Sequence, residues 1–336
     1  MKILIDVPPY KPLLEALRSS GLHEIDCISP PMEVSRPLDP ERLREVDVLF
    51  CSLPPTNFSD FKKLRWIQLT STGYSQLFGL DLPERAIRAT NSRGCFDGPI
   101  AEWNIAMMIN LARDFRQMIR NQEAAIWDRS AIFQREIRGL TVGIWGYGGI
   151  GRETARLARQ LGLKVHVMTR AGLGSREETY CVPGTGDAAG LMPHRVFRAG
   201  EEGEFLGGLD FLILGLPLTK ATEGLIGERE LRALPPRAFL LNPSRGPIIQ
   251  QEALLQALRE GWIAGAAIDT HYQYPMPKEH PLWRFPNLIF TPHISGSALS
   301  PHFLSRVWEI FSLNIDRLHR GAPLLNELNS VQLRGG

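Results

Sequence analysis

The chain of 336 residues carries a formal net charge of +2, with 43% hydrophobic and 22% charged residues. This length suits about two domains, and the near-neutral charge gives no reason to expect nucleic acid or an anionic membrane surface as a partner. No apolar run is long enough for a signal peptide or a membrane span, and neither the eight histidines nor the four cysteines show metal-ligand spacing. We therefore expect a cytoplasmic protein with reduced thiols and no metal.

Strand-like and helix-like runs alternate in the first hundred residues. The strand-like runs lie at residues 2–7, 46–51 and 64–69. Leucines at helical spacing predict a helix over residues 11–19, and this alternation is typical of a small parallel α/β unit. A long apolar helix is predicted over residues 100–112, buried between layers, and an amphipathic one over 115–127.

Residues 141–151 form an apolar run that ends in G-x-G-x-x-G, and helix-like and strand-like runs follow it. In a strand–turn–helix–strand unit each of these glycines has a function. Gly146 permits the tight turn, Gly148 lets the backbone approach a pyrophosphate, and Gly151 lets the helix pack closely on the strand. The N–H groups at the helix N-terminus would hold the phosphates. The predicted cofactor turn also contains Tyr147, Gly149 and Ile150.

The α/β alternation resumes after an irregular insert predicted at residues 171–200. Further strands are predicted at residues 209–216, 238–241, 265–268 and 288–291, and helices at 252–260 and 304–318. The fold class is therefore α/β: a Rossmann dinucleotide-binding domain inserted into a smaller, flavodoxin-like α/β substrate domain that is formed by both termini. The predicted boundaries are 98–296 for the first domain, and 1–97 with 297–336 for the second.

The end of the second Rossmann strand decides which nicotinamide dinucleotide fits. NAD-binding domains place an acidic residue there for the ribose hydroxyls, whereas this chain has Thr169 followed by Arg170. Without a carboxylate there is no repulsion toward a 2′-phosphate, and a guanidinium can bind that phosphate with two hydrogen bonds. NADP(H) is favoured, and NAD(H) is the alternative if Arg170 only caps the strand end.

Chemically useful side chains follow three of the later strands. Arg245 lies in segment 242–246, Asp269 ends the next strand, and His293 lies in segment 291–296. An arginine can clamp a carboxylate and polarise the adjacent carbonyl. A histidine can supply or remove the proton that accompanies hydride transfer. Because all three lie at one sheet edge, they are expected to form an active site.

With these segments the chain resembles the D-isomer-specific 2-hydroxyacid dehydrogenase family, which includes glyoxylate and hydroxypyruvate reductases. The matching segments are 71–74, 100–102, the glycine turn, 216–219, 242–246, 281–283 and 291–296. The resemblance implies that Arg245 binds the substrate carboxylate and carbonyl and that His293 is the acid/base. It also implies N–H groups for the carboxylate from Thr72, Gly73 and Tyr74.

The resemblance has further implications for the cofactor and for assembly. Asp269 would hold the nicotinamide carboxamide. The other implied cofactor contacts are Leu216, Pro217, Pro243, Ser244 and Ser295. Members of the family are typically dimers joined by an arm that would span about residues 100–140 here, and Trp127 lies in it. We therefore expect a homodimer with a small-molecule 2-oxoacid or 2-hydroxyacid substrate.

One position departs from the family pattern. The family places a glutamate of a Glu-Pro pair at the position of Tyr274, and that glutamate hydrogen-bonds the histidine. A carboxylate raises the pKa of an imidazole, whereas a neutral phenol can orient the ring but supplies no charge. We therefore expect His293 to be a weaker base than in relatives, with Tyr274 beside it in the catalytic site. Glu279 is an alternative source of the carboxylate.

Three hypotheses about function remain. The first is NADPH-dependent reduction of a small 2-oxoacid of the glyoxylate or hydroxypyruvate type to the D-2-hydroxyacid. The second is the same scaffold acting on a non-standard substrate, such as a phosphonate or a bulkier oxoacid, because the aromatic side chains near Tyr274 would reshape the pocket. The third is a nucleotide-sensing binding protein similar to the C-terminal binding protein corepressors.

Overall fold

The computed structural model describes residues 1–31, 34–130, 134–170, 172–174, 179–298 and 300–334. The strands are β1 (Lys2–Asp6), β2 (Glu24–Cys27), β3 (Val48–Cys51), β4 (Trp66–Leu69), β5 (Arg88–Thr90), β6 (Thr141–Trp145), β7 (Lys164–Met168), β8 (Arg195–Phe197), β9 (Phe211–Leu214), β10 (Phe239–Asn242), β11 (Gly265–Ile268) and β12 (Leu288–Phe290). The α-helices are α1 (Lys11–Ser19), α2 (Pro40–Arg44), α3 (Asp97–Ala112), α4 (Phe115–Glu123), α5 (Gly149–Gln160), α6 (Glu202–Gly207), α7 (Glu228–Ala233), α8 (Gln251–Glu260), α9 (Pro301–His319) and α10 (Ser330–Leu333).

The chain divides into two compact units. The first unit consists of Met1–Phe96, Arg176–Val182 and Ala298–Gly336, and the second of Asp97–Ser175 and Pro183–Ser297. Strands β1 to β5 therefore belong to the first unit and β6 to β12 to the second. Part of the insert belongs to the first unit, because Tyr180 is buried there in the same apolar cluster as α9.

The first unit is a five-stranded parallel sheet with the order β2-β1-β3-β4-β5. This is the 2-1-3-4-5 order of flavodoxin-like folds. Helix α9 covers one face of the sheet with Trp308 and Phe311, and Phe311 stacks on Phe50 and Trp66 at ring-centroid distances of 4.3 and 5.4 Å. These four aromatic side chains are fully buried and form the centre of the unit's core.

The second unit is a seven-stranded parallel sheet with the order β12-β11-β10-β9-β6-β7-β8. Read from β8, this is the Rossmann order 3-2-1-4-5-6 with one further strand at the edge. The strands β9, β10 and β11 are buried along their whole length, as a parallel sheet covered on both faces requires. The order reverses between β6 and β9, and ligands of such sheets bind outside the carboxyl ends of the strands at that point. The predicted fold class is confirmed.

Two predicted segments differ from the structure. The amphipathic helix α4 ends at Glu123 rather than at residue 127, because Ala125 adopts a left-handed backbone conformation with φ +55°. The insert was expected to be irregular, but β8 pairs in parallel with β7 at its far end. Phe197 of β8 is only 1% exposed, so a buried aromatic ring anchors this short strand in addition to its pairing with β7.

Candidate active site

The glycine turn, residues 146–151, joins β6 to the start of α5. Gly146 has φ +102°, and a Cβ on it would lie 2.6 Å from the carbonyl oxygen of Gly215. A Cβ on Gly151 would lie 2.6 Å from the carbonyl oxygen of Gly146, whereas a Cβ on Gly148 would meet nothing within 4 Å. The turn is therefore closely packed against its own strand and against the end of β9. On the side of Gly148 it leaves open space in which a phosphate can approach the N-terminus of α5.

The middle of this turn is held by a segment of the insert. The buried phenol of Tyr147 donates a hydrogen bond of 2.6 Å to the carboxylate of Asp187, which is also buried. Arg152, in the first turn of α5, lies 5.0 Å from the centre of the Tyr147 ring and donates to the carbonyl oxygens of Asp187 and Gly174. The insert thus anchors the glycine turn. This contact was not predictable from the sequence, because Asp187 lies 40 residues beyond Tyr147.

The ionisation of this pair follows from its burial and its hydrogen bonds. Burial, assisted by the bond to Asp187, raises the pKa of Tyr147 above its usual range. Burial alone would raise the pKa of Asp187 too, but the hydrogen bonds from Tyr147 and from the N–H groups of Met192 and Leu191 lower it. At neutral pH, Asp187 is therefore an anion and Tyr147 is its neutral donor.

Thr169 and Arg170 directly follow β7, as predicted. The N–H group of Thr169 donates 3.1 Å to the carbonyl oxygen of Phe197 in the neighbouring edge strand. The Arg170 side chain is exposed and forms no hydrogen bond or salt bridge with the described residues. Among the described residues its guanidinium therefore has no partner that a ligand would have to displace.

The segments after β9 and β10 line the same edge of the sheet. Leu216 and Pro217 follow β9, and Leu216 lies beside Gly146. After β10, the fully buried side chain of Asn242 accepts hydrogen bonds from the N–H and hydroxyl of Ser244 and donates one of 2.9 Å to the carbonyl oxygen of Arg245. Pro243 is buried between them. Asn242 therefore shapes the backbone that presents Arg245, a role that the sequence reasoning missed although an Asn-Pro pair at a strand end is typical of such turns.

Arg245 and His293 lie near each other at this edge. Both side chains are exposed. Among the described residues Arg245 forms no salt bridge, and its guanidinium donates a hydrogen bond to the carbonyl oxygen of Ser244. Desolvation by the surrounding protein lowers the pKa of His293, and the positive charge of Arg245 lowers it further. The structure therefore brings together the two side chains that were expected to carry the chemistry, one as a fixed cation and one as a group that is neutral at neutral pH.

Asp269 holds the loop that presents His293, which we call the His293 loop (residues 291–295). Its carboxylate is 0% exposed. It accepts a hydrogen bond of 2.6 Å from the Thr291 hydroxyl and bonds of 2.9 and 3.0 Å from the N–H groups of Ile294 and Ser295. Asp269 and Ser295 therefore organise the loop, and their expected contacts to the nicotinamide remain predictions.

Tyr274 does not take the place of the missing glutamate in the expected way. Its ring centre is 5.5 Å from that of His293, but its phenol oxygen accepts a hydrogen bond of 3.1 Å from the N–H group of His271. Among the described residues, no hydrogen bond joins the phenol of Tyr274 to the His293 imidazole. Glu279 is exposed, and among these residues no hydrogen bond or salt bridge joins it to His293 either. His293 therefore has an aromatic neighbour but no carboxylate of its own.

The predicted carboxylate-binding loop belongs to the first unit. The carbonyl oxygens of Thr72 and Gly73 accept hydrogen bonds of 2.7 Å from the side chains of Asn91 and Ser71. Within the described residues, the N–H groups of Thr72, Gly73 and Tyr74 donate to no partner. A row of backbone donors without internal acceptors suits an anionic ligand.

Two further classes of site have no counterpart in the described part of the chain. No helix there is long and apolar enough to cross a membrane. No group of three or more His, Cys, Asp or Glu side chains in those residues could hold a metal ion.

Comparisons with known proteins agree with this geometry. A model of the D-isomer specific 2-hydroxyacid dehydrogenase NAD-binding domain matches residues 105–295. Glyoxylate reductases of Thermofilum pendens and Thermococcus gammatolerans are 29% and 30% identical, over 83% and 82% of this chain and 80% of each relative. A D-isomer specific 2-hydroxyacid dehydrogenase of Xanthobacter autotrophicus, solved with NADPH and MES, is 25% identical with a TM-score of 0.75 and covers 99% of both chains.

The residues of the glycine turn fit a dinucleotide, since the turn is closed where glycines are required and open where a pyrophosphate would lie. The match of the family model to more than half of the chain agrees with that fit. This chain therefore belongs to the D-isomer-specific 2-hydroxyacid dehydrogenase family, a family of enzymes that use a nicotinamide dinucleotide.

Proposed function

We propose that this enzyme reduces a small 2-oxoacid of the glyoxylate or hydroxypyruvate type to the D-2-hydroxyacid, with NADPH as the hydride donor. The observation that carries the proposal is the pairing of Arg245, a cation without a salt-bridge partner among the described residues, with His293 at the carboxyl edge of the dinucleotide-binding sheet. The names of the two glyoxylate reductases support the choice of substrate class.

In the proposed reaction each side chain has one task. The Arg245 guanidinium pairs with the substrate carboxylate and polarises the neighbouring carbonyl group. The resemblance to the family implies that the N–H groups of Thr72, Gly73 and Tyr74 are donors for a substrate carboxylate as well. The reduced nicotinamide supplies a hydride to the keto carbon. Protonated His293 donates its proton to the resulting alkoxide oxygen, so the product is the 2-hydroxyacid and His293 is left neutral.

The residues after β7 support NADPH rather than NADH. Thr169 carries no negative charge, and the free guanidinium of Arg170 can pair with a 2′-phosphate. Replacing Arg170→Ser should reduce the ratio of kcat/KM for NADPH to that for NADH by about 10-fold, the effect of losing one charge-assisted contact of roughly 1.4 kcal/mol. An unchanged ratio would assign the cofactor preference elsewhere.

The main test combines activity with cofactor binding. Wild-type enzyme is assayed with NADPH and a panel of 2-oxoacids from pH 5 to 8, and NADPH affinity is followed by its fluorescence. Arg245→Ala and His293→Asn should each lower kcat/KM by at least about 100-fold, while the dissociation constant of NADPH stays within about 3-fold. Arg245→Lys keeps the charge but cannot form two parallel hydrogen bonds to a carboxylate, so its kcat/KM should lie between those of wild type and Arg245→Ala. Full activity of Arg245→Ala would refute the proposal.

One observation favours a second candidate, the same chemistry on a bulkier oxoacid or a phosphonate. Tyr274 is 58% exposed and lies beside His293, where the family has a glutamate. A substrate with a larger apolar group could pack on this ring. Turnover of phenylpyruvate or a phosphonate above that of glyoxylate would favour it. Family membership favours catalysis over the nucleotide-sensing alternative.

We also propose a homodimer that forms through the region of residues 100–140. Apolar side chains are exposed along this region, with Ile119 53%, Ile126 57% and Trp127 88% exposed. Several exposed apolar side chains in one short stretch are typical of an interface with a second copy. Light scattering should give twice the 37.7 kDa chain mass, and Trp127→Glu with Ile119→Glu should shift it toward the monomer. Leu191→Glu, which changes an exposed leucine outside this region, is the control.

A further inference from the structure

His271 follows β11 and lies beneath the His293 loop. It is only 5% exposed, and its ring stacks on Phe290 at a centroid distance of 4.0 Å and an angle of 15°. Its Nε2 lies 2.7 Å from the carbonyl oxygen of Thr291. A carbonyl oxygen can only accept, so Nε2 carries the proton and donates it. Nδ1 is buried and has no hydrogen-bond partner among the described residues. It is therefore the unprotonated nitrogen of a neutral ring.

Both His271 and Asp269 form hydrogen bonds with the His293 loop at Thr291. Its carbonyl oxygen accepts from His271 and, at 3.0 Å, from the N–H group of His293. Its hydroxyl donates to Asp269. His293 itself has φ +58°, a left-handed conformation that costs a residue with a Cβ free energy and persists only when its surroundings impose it. His271 and Asp269 hold the chain before His293 at Thr291, and Asp269 also holds it after His293 at the N–H groups of Ile294 and Ser295.

We propose that His271 is a positioning residue that fixes the backbone of the His293 loop. It thereby orients His293, as a glutamate at position 274 would, but it does not supply the negative charge of that glutamate. This inference rests on the proposed role of His293 as the proton donor. Tyr274 contributes indirectly, because its phenol oxygen accepts a hydrogen bond from the N–H group of His271 and so holds the backbone of His271 itself.

The groups around His271 keep it neutral. Burial lowers its pKa, and the positive charge that His280 can carry lowers it further, while the bond to Thr291 and the charge of Asp269 act in the opposite direction. A charged His271 would in turn oppose protonation of His293. A neutral His271 is therefore compatible with a protonated His293 nearby.

The test uses two substitutions that separate the donor from the ring. His271→Phe keeps a flat ring for Phe290 but removes the donor, whereas His271→Gln keeps a donor at the position of Nε2 and removes the ring. The full-length enzyme is assayed for kcat and for NADPH dissociation. His271→Phe should lower kcat about 10-fold, the effect of losing one hydrogen bond, with NADPH affinity unchanged. His271→Gln should stay within about 3-fold of wild type. His302→Gln, at an exposed histidine of α9, is the control.

A second readout does not depend on turnover. The titration of His293 is followed by NMR of protein labelled with ¹⁵N-histidine and assigned by the His293→Asn variant. In His271→Phe the loop should open to water, so the pKa of His293 should rise toward the value of a free imidazole; in His271→Gln it should remain low. Equal titration curves in both variants, or equal loss of kcat in both, would overturn the proposal. If wild type reduces no 2-oxoacid, the proposed function fails, while the titration still decides the role of His271.

Discussion

The glycine turn and the His293 loop both follow strands of the same sheet, but different interactions fix their backbones. In the turn, the backbone itself is decisive, because Gly146 and Gly151 stand where any Cβ would collide with a carbonyl oxygen. In the loop, side chains determine the backbone conformation. Asp269 and His271 form hydrogen bonds with Thr291, although they lie 22 and 20 residues before it in the chain. A motif can therefore explain the backbone of the first region, while the contacts that fix the second become visible only in the tertiary structure.

The largest effect is expected from adding a Cβ to the turn. Gly146→Ala combines a contact of 2.6 Å with φ +102°, so it should destabilise the protein by more than the roughly 1–3 kcal/mol of such a backbone and abolish NADPH binding. Thermal unfolding and NADPH fluorescence measure the two effects. Gly207→Ala, where a Cβ meets nothing within 4 Å and φ is negative, is the matched control and should change neither.

Gly148→Ala distinguishes packing from ligand access within the same turn. Its Cβ would occupy open space, so the melting temperature should stay within about 2 °C while the dissociation constant of NADPH rises by about 10-fold or more. Unchanged affinity would mean that the pyrophosphate does not approach the backbone at this residue.

The loop is next in the size of the expected effect. Asp269→Asn replaces a carboxylate that accepts three hydrogen bonds with an amide that must present an NH₂ group to an N–H or hydroxyl donor. We expect kcat to fall by about 100-fold, because charge-assisted bonds of about 1.5–3 kcal/mol each no longer hold His293. Asp210→Asn removes a buried carboxylate at the start of β9 that accepts from Thr141 and Arg237. It should lower stability comparably but leave kcat unchanged.

A smaller effect should follow from releasing the insert from the turn. Tyr147→Phe removes the buried hydrogen bond between the two side chains, and the ring that Arg152 overlies remains. Asp187→Asn keeps that ring too, but it also disturbs the bonds that the carboxylate accepts from the N–H groups of Leu191 and Met192. NADPH should bind about 3- to 10-fold more weakly, with kcat at saturating cofactor unchanged. If both variants bind NADPH as wild type does, the insert has no influence on the turn.

The sequence predicts the fold far better than the details of the site. Parallel strands that are covered on both faces read as continuous apolar runs, and the glycines have local causes, so both sheets and the turn were predictable. The short edge strands β2 and β5 were missed because few of their residues are apolar. Arg245 and His293 were found because each lies in the short segment after the end of a strand.

The roles of Asn242, Asp187 and His271 were not predictable, since each depends on a partner placed by the tertiary structure. Tyr274 was expected to orient His293 because of its position in the family pattern. In the structure its phenol oxygen instead accepts a hydrogen bond from the N–H group of His271. A sequence position can thus show that a carboxylate is missing, but not which side chain takes over part of its task.

Restoring that carboxylate tests how the loop sets the acidity of His293. Desolvation and the charge of Arg245 hold the pKa of His293 below 6.5, and the reduction needs the protonated ring, so kcat/KM for reduction should fall as the pH rises through a value below 6.5. Tyr274→Glu would place a negative charge near the imidazole and raise its pKa, which moves this falling limb to higher pH. Tyr274→Gln, which removes the ring but adds no charge, should leave the limb in place. A limb that does not move in Tyr274→Glu would mean that His293 is not the group whose protonation the reaction requires.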